Sequence, residues 1–224
     1  MNQSLIITID GPSGVGKGTV AKSVAKKLGL AYLDTGAMYR AVALQVQRNP
    51  IDIDNDSELL SLLNNTEIGI ETSADNFIMI TLNKEDITDE IRSPEISRIA
   101  SNAATKGLVR KKLVELQREI GLKGNIVVEG RDMGTYVFPQ ATFKFYLDAT
   151  LEERAIRRRK QLMENNVNIE LDKMIKEIEL RDKQDKGRLE SPLHPAPNAV
   201  IIDTTNLNAD EVTNRIITEV KVSK

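Results

Sequence analysis

The chain has 224 residues, 40% of them hydrophobic and 29% charged, enough to bury a full core as one domain with insertions or as two small domains. Thirty-one basic against 33 acidic residues leave a net charge of −2, so no overall basic field exists for non-specific binding of nucleic acid. The absence of cysteine excludes disulfides, thiolate metal sites and cysteine nucleophiles, and with no membrane-length apolar stretch or signal peptide visible a cytoplasmic protein without a membrane partner is expected.

Leu5 to Asp10 is an apolar, β-branched run that reads as a buried strand. It leads into Gly11-Pro12-Ser13-Gly14-Val15-Gly16-Lys17-Gly18-Thr19, after which Val20, Val24, Ala25 and Leu28 recur at helical spacing. Strand, glycine-rich turn and helix form the setting of a phosphate-binding loop. Gly11, Gly14 and Gly16 let the backbone curl with its N–H groups turned inward, and the helix N-terminus adds its dipole to that concavity. Lys17 supplies a cation for β- and γ-phosphates. The usual hydroxyl position holds Gly18, and Thr19 follows it. Residues 11–19 therefore predict binding of a nucleoside triphosphate.

Ala31 to Leu33 is a short strand candidate ending in Asp34-Thr35-Gly36, and Ala37 to Gln47 has Met38, Ala41, Val42 and Leu44 in helical rhythm. Glu58 to Leu63 reads as a turn or short helix. From Thr66 the period changes to that of strands, over Glu67 to Glu71 and Phe77 to Leu82, with turn chemistry at Ser73 to Asn76 and a third short strand at Lys84 to Thr88. This block interrupts a β/α alternation, so it reads as an inserted antiparallel subdomain. Helical spacing returns through Ile96 to Ala104 and Leu108 to Ile120. Asn125 to Glu129 and Phe143 to Leu147 are buried strands, the first followed by Gly130-Arg131-Asp132-Met133-Gly134 and the second by Asp148. Charged helices follow at 151–165 and 170–186. The loop Ser191 to Pro197 contains the single histidine, His194, to which no chemistry is assigned. A fifth strand, Val200 to Asp203, precedes a closing helix, Ala209 to Val222, started by Asn208 or Asp210. Alternating strands and helices predict a parallel sheet covered on both faces, with ligands at the carboxyl ends of the strands. Residues 11–19, 34–36 and 129–132 and Asp148 all fall on that rim.

The loop at 11–19, Asp34-Thr35-Gly36-Ala37-Met38-Tyr39-Arg40, Glu129-Gly130-Arg131-Asp132-Met133-Gly134-Thr135 and Arg181-Asp182-Lys183-Gln184-Asp185-Lys186-Gly187-Arg188 together resemble bacterial cytidylate kinases, over essentially the whole chain. The first signature is common to nucleoside monophosphate kinases, and the other three, in this order and spacing, are more specific. The resemblance implies an α/β, P-loop NTPase-like three-layer fold with a five-stranded parallel sheet, a small antiparallel β insert and a helical lid. On this chain the core would take residues 1–62, 96–149 and 189–224, the monophosphate-binding insert about 63–95, and the lid about 150–188. It implies transfer of the γ-phosphoryl group of ATP to CMP or dCMP, with magnesium, by a monomer.

Such a reaction brings two polyanions face to face, so catalysis is largely positioning and charge stabilisation. Arg154, Arg157 and Arg158 are one helical turn apart and can face one site; the resemblance has such arginines close on ATP and the transferring phosphoryl, while Arg159 belongs to a solvated face with Glu152 and Glu153. It also implies that Arg181 and Asp185 lie by the sugar, and that Arg188, Arg40 and Arg131 meet the acceptor phosphate with Tyr39 and Thr35 beside them. Lys17, Arg131, Arg154, Arg158 and Arg188 are the expected catalytic groups, with Arg157 on ATP. The resemblance implies that base choice rests on Asp132, Arg110 and Ser101; for Asp132 the chemistry agrees, because a carboxylate accepts from the cytosine N4 amino group, whereas uracil presents an acceptor there. Glu129 at a strand end, with Thr19, is the expected magnesium position, held through water. Two other readings of the loop are a P-loop kinase of another acceptor such as UMP, and a regulatory NTPase. The second would hydrolyse ATP or GTP without an acceptor and would usually keep the hydroxyl that Gly18 lacks.

Overall fold

In the computed structural model, residues 5–72, 78–164 and 167–222 are described. The parallel sheet has five strands, β1 (Ile6–Asp10), β2 (Ala31–Asp34), β6 (Ile126–Gly130), β7 (Phe143–Asp148) and β8 (Val200–Asp203), in the order β2-β6-β1-β7-β8. A separate antiparallel sheet joins β3 (Ile68–Thr72), β4 (Ile78–Leu82) and β5 (Glu85–Asp86). The chain divides into two compact units, one of residues 1–30 with 125–224 and one of residues 31–124.

The first unit is built around β1, whose Ile7, Thr8, Ile9 and Asp10 are all buried, as a strand covered on both faces requires. Its register against β6 pairs Ile7 with Val127 and Asp10 with Gly130, and against β7 it pairs Asp10 with Tyr146. The strand ends at 10, 130, 148 and 203 thus form one rim. Helix α1 (Lys17–Leu28) buries Val20, Ala21, Val24 and Ala25 and packs on β6 and on α8 (Ala209–Val222). It stops at Gly29, whose left-handed φ of 66° lets Leu30 N–H reach the Ala25 carbonyl at 2.9 Å. Helix α8 starts on Asn208: its side chain accepts from Glu211 N–H at 3.0 Å, and Glu211 accepts from Asn208 N–H at 2.8 Å. Helices α6 (Leu151–Met163) and α7 (Leu171–Lys186) have an apolar seam of their own, Ala155 and Leu162 against Met174 and Ile178.

In the second unit, α2 (Thr35–Arg48) packs on α4 (Pro94–Ala103), and α3 (Asp56–Asn64) on α5 (Gly107–Leu122). The small sheet pairs Ile68 with Leu82 and Leu82 with Glu85. Asn83 and Lys84, with φ of 51° and 69°, make the two-residue turn whose twist suits a hairpin. The third strand is shorter than the run 84–88 suggests, since Lys84 lies in that turn and Thr88 N–H turns back to Asp86 Oδ1 at 2.9 Å, ending the pairing after Asp86. The turn expected at 73–76 lies outside the described residues. Arg48 fastens this sheet to α2 through a two-pronged pair with Glu85 at 2.6 and 2.9 Å and a bond to Glu90 at 2.6 Å.

Candidate active site

The glycine loop leaves β1 and enters α1 under close restraint. At Gly14, φ is 79°, and a Cβ there would lie 2.6 Å from the main-chain oxygen of Arg154. Lys17 opens α1, is only 6% exposed, and donates from Nζ to the Pro12 carbonyl at 2.7 Å. Burial, then the charge of Arg131, pushes its ammonium well below the usual lysine range, against the opposing pull of Glu129. A cation in such surroundings is poised for an anion to arrive. Glu129 is itself buried at the end of β6, and its Oε1 lies 2.9 Å from where a Cβ on Gly18 would stand. The missing hydroxyl of the loop therefore has a local cause. Any side chain at 18 would have to displace the Glu129 carboxylate. Thr19 is exposed on the first turn of α1.

Asp10, at the end of β1, is 2% exposed and accepts from Met133 N–H at 2.9 Å and Gly134 N–H at 2.8 Å. It thereby ties the start of the loop to the turn after Asp132. In that turn, Val137 N–H and Phe138 N–H bond five residues back, to the Asp132 and Met133 carbonyls at 3.1 and 2.7 Å. Burial raises the Asp10 carboxyl to about 6, the two N–H bonds opposing it and Asp132 adding to it. A raised native value means that the stability it contributes is complete below pH about 4 and is lost as the pH rises through about 6. We predict that the unfolding free energy of the wild type, relative to Asp10→Asn, falls by about 2 kcal/mol between pH 4 and 7. Denaturant titrations of both proteins across that range measure it, and a pH-independent difference contradicts it.

Arg131 donates from Nε to Asp185 Oδ2 at 2.9 Å, and Arg188 bonds the other oxygen of the same carboxylate, which is 1% exposed. Burial alone would push the Asp185 carboxyl up, but the guanidinium groups of Arg131, Arg188 and Arg181 outweigh it and hold it below the usual carboxylate range. Arg181 and Asp185 both stand on α7, so two of the expected acceptor arginines and one of the expected sugar residues form one buried cluster. Asp132 is 3% exposed and immediately follows Arg131.

Arg154, Arg157 and Arg158 are not turned to one point. Arg154 is 6% exposed and donates to the Ser13 carbonyl at 3.0 Å, the Ala149 carbonyl at 3.1 Å and Asp182 Oδ2 at 2.6 Å. Arg157 donates to Thr204 Oγ1 at 3.0 Å and to the Thr204, Thr205 and Leu207 carbonyls, and pairs with Glu153 at 2.9 Å. Arg158 reaches Gln161 Oε1 at 2.7 Å. Turns and strand ends leave main-chain carbonyls without ladder partners, and the two inner guanidinium groups supply the missing donors. Helical spacing gives the face but not the acceptor each long side chain finds.

The second unit holds the remaining expected residues. Asp34 caps α2 by accepting from Ala37 N–H at 3.0 Å, and its other oxygen pairs with Arg40 Nη2 at 2.8 Å. Thr35 is buried on the first turn of α2, and Tyr39 Oη accepts from Arg110 Nη1 on α5 at 3.4 Å. Arg110 is 2% exposed, and Ser101 on α4 is half-buried. Ser101 and Arg110 thus belong to one unit and Asp132 to the other.

Three carboxylates escaped the sequence reading as site residues. Asp10 and Asp34 each close a strand directly before a signature turn, a position that could have flagged them. Asp182, which holds Arg154, stands three residues before Asp185, and nothing in its local pattern separates it from the other charges of α7.

A family model described as cytidylate kinase matches residues 7–222. A cytidylate kinase of Desulforamulus reducens is 46% identical over 224 residues, covering 100% of both chains. One from Syntrophotalea carbinolica is 45% identical over 97% of this chain and 92% of its own. One from Clostridioides difficile is 43% identical over 98% and 99%. Among solved structures, an uncharacterized protein from Eubacterium ventriosum superposes with a TM-score of 0.55 at 13% identity, over 98% of this chain and 99% of that one, a likeness of fold alone.

Proposed function

The chain belongs to the cytidylate kinase family, and from that premise we propose that it transfers the γ-phosphoryl group of ATP to CMP or dCMP, giving ADP and the cytidine diphosphate. The observation that carries this reading is the arrangement in the first unit. A phosphate loop with a buried lysine stands beside two arginines held by one buried carboxylate. Lys17 exchanges the Pro12 carbonyl for the β- and γ-phosphates when ATP binds. Arg131 and Arg188, already desolvated and aligned by Asp185, receive the acceptor phosphate and the charge that develops on the transferring group. Arg40 serves the same phosphate from α2, with Thr35 and Tyr39. Arg181 and Asp185 bind the sugar, and Asp132, Arg110 and Ser101 read the cytosine edge. Arg157 orders the loop after β8 for ATP, and Arg158 is the lid arginine on the more exposed face. Arg154 acts on the donor side by shaping the loop through Ser13. The working division is a core at 1–62, 96–149 and 189–224, an insert at about 63–95 and a lid at about 150–188.

Magnesium suits the residues present. An ion that keeps most of its waters and is held by phosphate oxygens and one or two carboxylates needs from the protein little more than the buried carboxylate of Glu129 beside the loop. Glu129, whose Oε1 faces Gly18 and whose charge acts on Lys17, would be that carboxylate, holding the ion through water together with Thr19. When bound, the ion neutralises charge on the β- and γ-phosphates. No described helix is long and apolar enough to cross a membrane, and we take the enzyme to be a cytoplasmic monomer whose partners are nucleotides, not nucleic acid. Phosphorus NMR of a mixture of Mg·ATP, CMP and the protein tests the reading. The signals of CDP and ADP should grow together, and release of inorganic phosphate without CDP would make the protein an NTPase.

A further inference from the structure

The inner face of α7 carries two buried carboxylates one turn apart, and they hold different parts of the first unit. Asp185 takes Arg131 and Arg188. Asp182, 7% exposed, takes Arg154 through Oδ2 at 2.6 Å, while its Oδ1 is buried without a hydrogen-bond partner. Arg154 Nη1 is shared: one N–H points to Asp182 and the other to the Ser13 carbonyl at 3.0 Å. In a trans peptide the C=O of Ser13 and the N–H of Gly14 point opposite ways. Fixing the Ser13 carbonyl on Arg154 therefore fixes the direction in which the Gly14 N–H is offered to a phosphate. The left-handed φ of 79° at Gly14, and the Arg154 main-chain oxygen standing 2.6 Å from where a Cβ on residue 14 would be, keep this point of the loop to glycine and hold it close against Arg154.

We propose that Asp182 is a positioning residue for the donor half of the reaction, setting the phosphate loop through Arg154 and Ser13. This rests on the reading of residues 11–19 as the ATP loop. Because the contact uses one carboxylate oxygen, Asp182 aims the guanidinium without clamping it in a two-pronged pair. Asp182 and Asp185 share one helix, so α7 connects the carboxylate that holds Arg131 and Arg188 with the one that holds Arg154 against the loop.

Calorimetric titration of wild type, Asp182→Asn and Arg154→Lys with a non-hydrolysable ATP analogue and, separately, with CMP tests this. Asn keeps the shape of Asp182 and removes its charge; Lys keeps the charge of Arg154 and cannot reach both partners. Each variant should bind the analogue about ten-fold more weakly and CMP within about two-fold of wild type. The double variant should be no worse than the poorer single one, since both break the same link. An unchanged affinity for the analogue in Asp182→Asn, equal weakening of analogue and CMP, or additive losses in the double variant would overturn the proposal. Should Asp182→Asn not fold, Arg154→Lys alone decides between a donor-selective loss and a general one. Failure of wild type to bind CMP would instead fall on the substrate assignment, and the analogue titration would still judge Asp182.

Discussion

Lys17→Ala is expected to lower kcat with CMP by roughly 10²–10³-fold, the range seen when one preorganised donor to a developing charge is removed, while the thermal midpoint stays level or rises. The two halves of that result have one cause. Lys17 is buried against the Pro12 carbonyl, and burial and Arg131 together push its ammonium well below the lysine range. The buried ammonium is thus costly in the free protein, Glu129 opposing part of that cost, and on the proposed role the phosphates of ATP offset the rest. Removing the amine relieves the free protein and deprives the bound phosphates of their nearest counter-charge. Kinetics with Mg·ATP and a melting curve on the same sample decide it. Activity within ten-fold of wild type would mean that the ammonium does not meet the transferring group.

Asp132→Asn is expected to collapse the preference for CMP over UMP by about 100-fold in the ratio of kcat/KM values. Asp132 is 3% exposed, so whatever edge it meets is met away from water, where an unmatched acceptor is expensive. In the proposed role, the carboxylate would accept from the N4 amino group of cytosine and oppose the lone pairs of O4 of uracil. Asparagine offers an N–H to O4 and removes that repulsion. The main chain of Asp132 heads the turn to Tyr136 and Val137 whichever side chain is present, so the fold at this point is retained. Competition between the two nucleotides gives the ratio directly, and a ratio equal to that of wild type would separate Asp132 from base choice.

Sheet strands, major helices and the loop were legible from the chain because each rests on a local pattern. Ile6 to Asp10 is a buried, largely β-branched strand, and Gly14 to Thr19 is a glycine-rich turn set between that strand and a helix. The small sheet was legible as a change of period, but its third strand was not bounded, since the left-handed pair Asn83 and Lys84 is a backbone property that the residue types only suggest. The wide turn at 133–137 has no periodic signal at all. It exists because Asp10, more than 120 residues earlier, takes the Met133 and Gly134 N–H groups. The arginines show the same limit. Their spacing on α6 was readable, but their partners were not: the Ser13 carbonyl for Arg154 and the 204–207 loop for Arg157 are supplied by distant chain. Asp185 is expected as a site residue from its motif, whereas its pairing with both Arg131 and Arg188 depends on the packed helix.

The central claim is tested most directly by ADP production from Mg·ATP with CMP, dCMP, UMP, AMP or no acceptor. Turnover should appear with CMP or dCMP, fall sharply with UMP and AMP, and be near background without an acceptor. Equal ADP production in the absence of any acceptor would contradict the assignment and reduce residues 11–19 to the loop of an NTPase.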